Sequence, residues 1–280
     1  MRIALIADIH ANLPALEAVL TAIRKHTPDM ILSLGDQVNL GPCPRETLAL
    51  LKEHGVKCLH GNHERYILSA MKGDPQYCGA NFHSLRFNAE LLTAEEITFP
   101  ESLQIEQVTF CHAMPGDDRF PVNIPQKAIP KLLTMRFDEP THIICGHGHN
   151  PTHYSLPNLT IDSIGSAGCM DEGIPGTTNF AILDLEPGYT ALCPFTIPYD
   201  TRPLRELLKS SGMADFCPIM SRLILSQMEQ NHDYLVGFVI KALELGEARG
   251  EENLSLETWQ LADSLFDWPD GLSTAAIWRG

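Results

Sequence analysis

The chain has 280 residues, of which 44% are hydrophobic and 20% are charged. This composition is typical of a folded protein with a packed core and excludes a disordered chain. Thirty-five acidic residues against twenty basic ones leave a formal charge of -15, so we expect no stable binding of nucleic acid, whose phosphate backbone the average surface would repel.

No segment has the pattern of a signal peptide or a membrane span. The apolar start MRIALIADIH is short and is interrupted at once by Asp8. No later run reaches the roughly 18 apolar residues of a spanning helix. The eight cysteines form no C-x-x-C pair and several lie in apolar runs, which favours reduced thiols over a disulfide framework. We therefore expect a cytoplasmic protein that does not bind membranes.

The first sixty residues alternate between two kinds of pattern. Continuous apolar runs at 2–7, 30–34 and 56–59 predict three short strands. A helical spacing of apolar residues follows Pro14, and a second one ends at Gly55. The order strand, helix, strand, helix, strand implies right-handed crossovers and a parallel sheet.

The rest of the chain divides into a strand-rich and a helical part. Further strands are predicted at 108–111, 142–145, 159–164, 178–185 and 190–195. The late strands follow one another with little helix between them, so we predict an antiparallel second sheet. After about Pro198 only helical periodicity remains. The fold class is therefore α/β, with two sheets flanked by helices.

Polar residues of a restricted kind follow five of the predicted strands. They are Asp8 and His10, Asp36, Asn62 to Glu64, His112, and His147 with His149. Ligands of open α/β sheets bind at the carboxyl ends of the strands, so these residues are expected to form one cluster. If the extended geometry continues past the strands, Asp8 and His10 face the same way, as do His147 and His149.

The residue types of this cluster indicate a transition metal. Imidazole, carboxylate and amide groups together suit Zn, Mn, Fe or Ni, whereas an all-oxygen set would suggest Mg or Ca. The absence of thiolates favours a catalytic site. Each motif alone has an ordinary explanation, such as a polar turn or a helix-capping Asn62. Because all five occur in order, each after an apolar run, we predict a metal site.

The ordered motifs D-x-H, G-D, G-N-H-[D/E], H and G-H-x-H resemble those of the calcineurin-like metallophosphoesterase superfamily over roughly residues 1–195. The stretches DIHANLPALEAVL and GDQVNLGPCPRE are most similar to its small prokaryotic phosphodiesterase-type members. The resemblance implies a four-layer α-β-β-α sandwich of two mixed sheets. Residues 1–198 would form this domain, and residues 199–280 a helical extension packed on it.

The resemblance also implies a role for each motif residue. One metal would be held by Asp8, His10, Asp36 and His149, and the other by Asp36, Asn62, His112 and His147, with Asp36 as the bridge. The cofactors would be two divalent ions of Mn, Fe, Zn or Ni, with Mn favoured. A water between them would become the hydroxide nucleophile. His63 would protonate the leaving oxygen, so the catalytic residues would be His63, Asn62 and Asp36.

The substrate side is less defined by the sequence. Asn39 and Leu40 stand where the Ser/Thr protein phosphatases have an Asp and a phosphate-gripping Arg, so that clamp is absent. We predict substrate contacts from Asn12, Arg65 and Arg119, which lie close in sequence to the motifs. An arginine can hold phosphate through two parallel hydrogen bonds.

The function predicted from these motifs is hydrolysis of a small phosphoester, with nucleotides among the candidates, by a phosphodiesterase or a phosphatase. Glu64, which is usual in the dinucleotide-hydrolase and protein-phosphatase branches, leaves a dinucleoside polyphosphate hydrolase or a protein phosphatase-like enzyme as alternatives. A non-catalytic scaffold is a third alternative, although such proteins normally lose ligands or the catalytic histidine. The C-terminal helices are a candidate surface for a homo-oligomer.

Overall fold

A computed structural model describes residues 1–268 of the chain. Within them, two five-stranded sheets pack face to face, with helices on their outer faces. The predicted four-layer α-β-β-α sandwich of two mixed sheets is confirmed. The last twelve residues of the predicted extension lie outside the described residues.

The first sheet begins with the alternation that the sequence predicted. Its parallel strands are β1 (Arg2–Ile6), β2 (Met30–Ser33) and β3 (Lys57–Cys58), joined by the helices α1 (Leu13–Ile23) and α2 (Pro44–Glu53). Because these three strands are parallel, their carboxyl ends lie at the same end of the sheet. The polar motifs follow directly after these carboxyl ends.

The second sheet holds five strands from the middle of the chain. They are β4 (Ser102–Ile105), β5 (Val108–Cys111), β6 (Thr141–Cys145), β7 (Pro151–Leu156) and β8 (Leu159–Ile164). The spatial order is β4-β5-β6-β8-β7, with β5, β6 and β8 parallel and both edge strands antiparallel.

The two last strands, β9 (Thr177–Glu186) and β10 (Tyr189–Pro198), form a hairpin that joins the first sheet. β9 runs antiparallel along the free edge of β1, from the pair Arg2 and Asp184 to the pair Leu5 and Ala181. The prediction that the late strands form an antiparallel second sheet is therefore wrong. Edge pairing between residues 176 to 182 positions apart leaves no local sequence signal.

The alternation of β1 explains why the sheet has helices on one face and a second sheet on the other. Ile3 and Leu5 lie in the core between the sheets, and Ala4 and Ile6 pack against α1. All four are fully buried. A strand covered on both faces reads as a continuous apolar run, as this one does.

The remaining helices cover the sandwich and extend it at the C-terminal side. They are α3 (Asn62–Met71), α4 (His83–Leu91), α5 (Pro125–Leu132), α6 (Pro203–Ser210), α7 (Met213–Phe216), α8 (Pro218–Gln230), α9 (Leu235–Ala248) and α10 (Leu256–Leu265). Among residues 1–268, none of the helices combines the length and the apolar character needed to cross a bilayer.

The C-terminal helices share a hydrophobic core with the loops at the strand ends. Leu223, Ile224 and Phe238 belong to the same buried cluster as Leu40 and Cys169. Leu40, at the position of the phosphatase arginine, therefore anchors the helices. The boundary between residues 198 and 199 stays a prediction.

Candidate metal centre

All seven predicted metal ligands lie together where the carboxyl ends of the strands meet. Asp8, His10, Asp36, Asn62 and His112 are buried, whereas His147 and His149 are partly exposed. The cluster thus has a closed floor and one side open to the surface. His63 lies on the open side, with 21% of its side chain exposed.

The backbone of the ligands leaves the extended conformation directly after each strand. Five ligands have a positive φ, between 50° and 61°: Asp8, His10, Asp36, His147 and His149. The extended geometry on which the expected pairing of ligands depended is therefore absent, although Asp8 and His10 still lie in one group. A left-handed conformation costs roughly 1–2 kcal/mol per non-glycine residue. Hydrogen bonds hold these turns, such as those from the N–H groups of Asp8 to Gly35 O (3.1 Å) and of His10 to Asp36 O (3.0 Å).

Asp8, His10 and His149 form the first group of possible ligands, with donor atoms within 4.8 Å of one another. His149 donates its Nδ1–H to Asp171 Oδ1 (2.8 Å), so Nε2 is the ring nitrogen that could bind a metal ion in place of a proton. That Nε2 faces His10 Nε2 at 3.1 Å. His10 Nδ1 is buried and has no hydrogen-bond partner within residues 1–268. The ring nitrogens of His10 and His149, together with the carboxylate of Asp8, could therefore bind one cation.

The second group is Asp36, His112 and His147, again with donor atoms within 4.8 Å. His112 donates Nδ1–H to Leu34 O (2.9 Å), which leaves the Nε2 lone pair directed into the site. This Nε2 lies 2.9 Å from Asn62 Oδ1 and 3.3 Å from Asp36 Oδ2. A proton on Nε2 can be shared with both oxygens, and a cation in its place could bind the same three atoms. The residues of both groups therefore fit a divalent transition metal.

Asp36, a member of the second group, also lies close to His10 of the first group. Its Oδ2 is 3.3 Å from His112 Nε2, 3.8 Å from His10 Nε2 and 3.9 Å from His63 Nε2. One carboxylate thus lies within reach of ligands on both sides and of the predicted catalytic histidine.

A buried glutamate fixes the loop that carries Asp36. Glu64 is fully buried and accepts hydrogen bonds from the N–H groups of Asp36 (3.0 Å), Gln37 (2.9 Å), Val38 (3.3 Å) and Gly61 (2.9 Å). Gly61 is needed there because a Cβ would lie 2.2 Å from Asp36 Oδ1. The sequence gives no sign of this structural role of Glu64.

The charges of the site favour bound cations. Although burial disfavours its protonated form, the carboxylate of Asp36 raises the pKa of His112 to about 10. Asp171 likewise outweighs burial and raises the pKa of His149 to about 9. Burial also raises the pKa of Asp8 to about 6. The buried carboxylates thus attract positive charge to the positions where metal would bind.

His63 has a partner that the sequence did not reveal. Its Nδ1 lies 2.7 Å from Asn39 Nδ2, and Asn39 is itself held by its N–H donating to Asn88 Oδ1 (3.0 Å). Burial lowers the pKa of His63. The sequence marks Asn39 only as a departure from the phosphatase motif, and its contact with a residue 24 positions later has no local signal.

Two of the predicted substrate contacts are engaged within the protein. Asn12 is fully buried, accepts the Ala15 N–H as the cap of α1 (3.2 Å) and donates to Gly168 O (2.7 Å). Its position therefore gives it a structural role and leaves it no surface for a substrate. Arg65 forms two hydrogen bonds with Asp118, at 2.7 and 2.8 Å. This pairing neutralises its charge but leaves it partly exposed.

A cavity of about 250 Å³ opens beside the second group. Its walls are His60, Arg65, Glu101, His112, Met114, Gly116, Asp117 and Asp118. Arg119 lies next to this segment and is exposed. Burial raises the pKa of Tyr66, and the positive charge of Arg119 is close enough to reduce this rise. Unlike Arg65, Arg119 has no carboxylate paired with its side chain within the described residues.

Comparison with known sequences identifies relatives of the first 167 residues. Residues 1–167 match the calcineurin-like phosphoesterase family. An uncharacterised protein of Methanocaldococcus jannaschii is 29% identical over 157 residues, which are 53% of this chain and 63% of that protein. The chain therefore spans less than two thirds of the length of this relative.

Solved structures share the fold over most of the chain. A metallophosphoesterase from Sphaerobacter thermophilus has a TM-score of 0.60 at 24% identity and covers 81% of this chain and 99% of its own. A hypothetical protein from Pyrococcus horikoshii has a TM-score of 0.61 at 16% identity and covers 83% of this chain and 99% of its own. As the resemblance of its motifs predicted, the chain belongs to the calcineurin-like phosphoesterases.

Proposed function

We propose that this protein hydrolyses small phosphoesters with two divalent transition-metal ions, with Mn²⁺ as the favoured metal. The observation that carries the proposal is the position of Asp36 between two groups of ligands, 3.8 Å from His10 and 3.3 Å from His112. A pair of cations at such a site would polarise the phosphoryl oxygens and acidify a water molecule. Attack of water on phosphorus and loss of the ester oxygen are then the two bond changes of the reaction.

His63 is the proposed general acid. Its Nε2 faces the site, 3.9 Å from Asp36 Oδ2, and part of its ring is open to the surface. A phosphoester bound over Asp36 would therefore have its leaving oxygen within reach of this nitrogen. Transfer of the Nε2 proton to that oxygen would release a neutral alcohol as the phosphorus–oxygen bond breaks.

Asn39 can hold the ring of His63 in both protonation states. With Nδ2 towards the ring, it donates to Nδ1 of the neutral imidazole (2.7 Å). Its Oδ1 is buried without a partner within residues 1–268. A turn of the amide would bring this oxygen to the Nδ1–H of the protonated ring. Because loss of the Nε2 proton leaves the hydrogen on Nδ1, this oxygen would orient the ring both before and after proton transfer.

The cavity beside the second group supports a small substrate. Its volume of about 250 Å³ is below the 300–1,000 Å³ typical of sites for drug-sized ligands. Glu101, Asp117 and Asp118 line it, against the single guanidinium of Arg65. A further phosphate would be repelled by this excess of carboxylates, so we favour a simple phosphoester over a dinucleoside polyphosphate.

Other properties remain part of the proposal. All eight cysteines are free thiols, which supports a reducing compartment such as the cytoplasm.

Val236, Ile240 and Leu243 are each about half exposed on one face of α9, which supports a homo-oligomer through the C-terminal helices. Light scattering of the purified protein would measure its oligomeric state.

Hydrolysis of model substrates tests the activity directly. The metal-free protein should gain activity towards p-nitrophenyl phosphate or bis(p-nitrophenyl) phosphate when Mn²⁺ is added. The ratio of the two rates would distinguish a monoesterase from a diesterase. No turnover of either ester with Mn²⁺, Fe²⁺, Zn²⁺ or Ni²⁺ would contradict the proposed function.

The role of His63 predicts a dependence on the leaving group. His63→Ala should retain the metals and lose roughly 10²- to 10⁴-fold in kcat. The loss should be greater for phenyl than for p-nitrophenyl esters, because the more basic leaving oxygen needs the proton more. His54→Ala, at the end of α2, is the matched control. An equal loss for both esters would exclude His63 as the general acid.

A further inference from the structure

A carboxylate outside the predicted motifs orients one of the proposed ligands. Asp171 Oδ1 accepts the Nδ1–H of His149 at 2.8 Å. This hydrogen bond engages Nδ1 and leaves Nε2 as the ring nitrogen directed into the site, where it lies 3.1 Å from His10 Nε2. It also prevents the ring from rotating away from the site.

Asp171 is in turn fastened by the C-terminal helices. Gln227 on α8 donates its Nε2–H to the same Oδ1 of Asp171, at 3.1 Å. The main-chain oxygen of Asp171 accepts the N–H of Asp233 at 2.9 Å. Gln227 is only 2% exposed, so its amide is held by packing as well as by this bond. Both the side chain and the backbone of Asp171 are thus connected to the extension.

The segment that follows Asp171 is also fixed by α8. Asn231, one turn after Gln227 and at the C-cap of the helix, donates to Ile174 O (2.7 Å) and Thr177 O (2.9 Å). Residues four apart lie on the same face of a helix. One face of α8 therefore holds the whole stretch from Asp171 to Thr177.

We propose that α8 is part of the metal-binding machinery, because Gln227 and Asp171 position His149 as a ligand. Both residues lie beyond the 1–167 segment that matches the family, so the C-terminal helices would supply what that segment lacks. The inference rests on the proposed function, since it assumes that His149 binds metal. Gln227 and Asp171 are positioning residues, because neither touches the reacting atoms.

The consequence is a selective effect on one of two metal sites. Removal of Asp171 would free the ring of His149 to rotate and to adopt either tautomer. The site of Asp8, His10 and His149 would then lose affinity. In the other site, His112 would keep its own orienting hydrogen bond to Leu34 O. Loss of such an outer hydrogen bond typically costs roughly 10- to 100-fold in metal affinity.

The first test is a Co²⁺ titration of the metal-free protein, followed by visible absorption, which reports two binding constants. Asp171→Ala should weaken one of them by roughly 10- to 100-fold. Asp171→Asn, which keeps an acceptor oxygen, should restore part of the affinity. Glu172→Ala removes the same charge from an exposed neighbour and is the matched control.

The second test uses the helix itself. Gln227→Leu replaces the amide with an apolar group of similar size and removes one hydrogen bond, so it should weaken the same constant by roughly 2- to 12-fold. Ser226→Ala is the matched control, because the hydroxyl of this buried neighbour donates within α8, to Arg222 O. Thermal unfolding of each metal-free variant shows that it is folded.

The outcomes separate the two proposals. If the wild-type protein bound no transition metal, the proposed function would fail and this inference with it. If the wild type bound two ions and the Asp171 and Gln227 variants matched it, only the inference would be overturned. Equal weakening of both constants would also overturn it, because a general loss of stability would then explain the effect.

Discussion

The substitution Glu64→Gln is a stringent test of how the metal site is held together. Each carboxylate oxygen of Glu64 accepts two backbone N–H groups, one oxygen those of Asp36 and Gly61 and the other those of Gln37 and Val38. Glutamine converts one of these oxygens into an NH₂ group, which faces two buried donors that no longer have an acceptor. At about 1–3 kcal/mol for each unsatisfied group, the free energy of unfolding should fall by about 2–6 kcal/mol.

Urea unfolding of the metal-free protein measures this change, and a Mn²⁺ titration measures its effect on the site. We expect weaker metal binding as well, because the loop of Asp36 loses its anchor. Glu96→Gln is the control, since Glu96 also accepts an N–H group, that of Thr93, but at the surface. A loss below about 1 kcal/mol with unchanged metal affinity would refute the reasoning.

Three further predictions follow from other parts of the structure. Gly61→Ala should abolish metal-dependent activity while far-UV circular dichroism stays unchanged, because the new Cβ would lie 2.2 Å from Asp36 Oδ1; an active variant would contradict this close approach. Removal of metal with EDTA should lower the thermal midpoint, and Mn²⁺ should restore it, since ligand at 100 times its Kd adds about 2.7 kcal/mol per site; an unchanged midpoint would argue against a bound metal. Burial tends to raise the pKa of Asp162, but its hydrogen bonds with His142 and His153 prevail and hold that pKa below the usual 3.8. The stability gained from this lowered pKa is complete above 3.8 and is lost as the pH falls through the folded value. Asp162→Asn should therefore be less stable than wild type at pH 6, and the difference should shrink below pH 3.8; a pH-independent difference would show that the carboxylate charge is not its source.

The sequence predicted the strands that are buried on both faces. β5 and β8 have the predicted bounds, and β1 differs by one residue at its end. β4 and β7 were missed because they are edge strands whose residues are half exposed, so that their sequences lack an apolar run. The place of β9 beside β1 could not be predicted either, since pairing between distant strands depends on which edge is free.

The candidate ligands could be predicted because each follows directly from the end of a strand. Their backbone geometry could not, since the left-handed conformations of Asp8 and His147 are stabilised by hydrogen bonds that form only in the folded protein, such as the one from His147 N–H to Asp8 Oδ2 (2.9 Å). Asn39 and Asp171 were missed for the same reason. Each contacts a histidine more than 20 residues away, and such a contact has no local sequence signal.

The most direct test of the account is the anomalous scattering of crystals grown with Mn²⁺. We expect two manganese peaks on either side of the Asp36 carboxylate, about 3.5–4 Å apart, one next to His149 and the other next to His112. A single peak, or two peaks without Asp36 between them, would contradict the central claim that this carboxylate joins two metal sites.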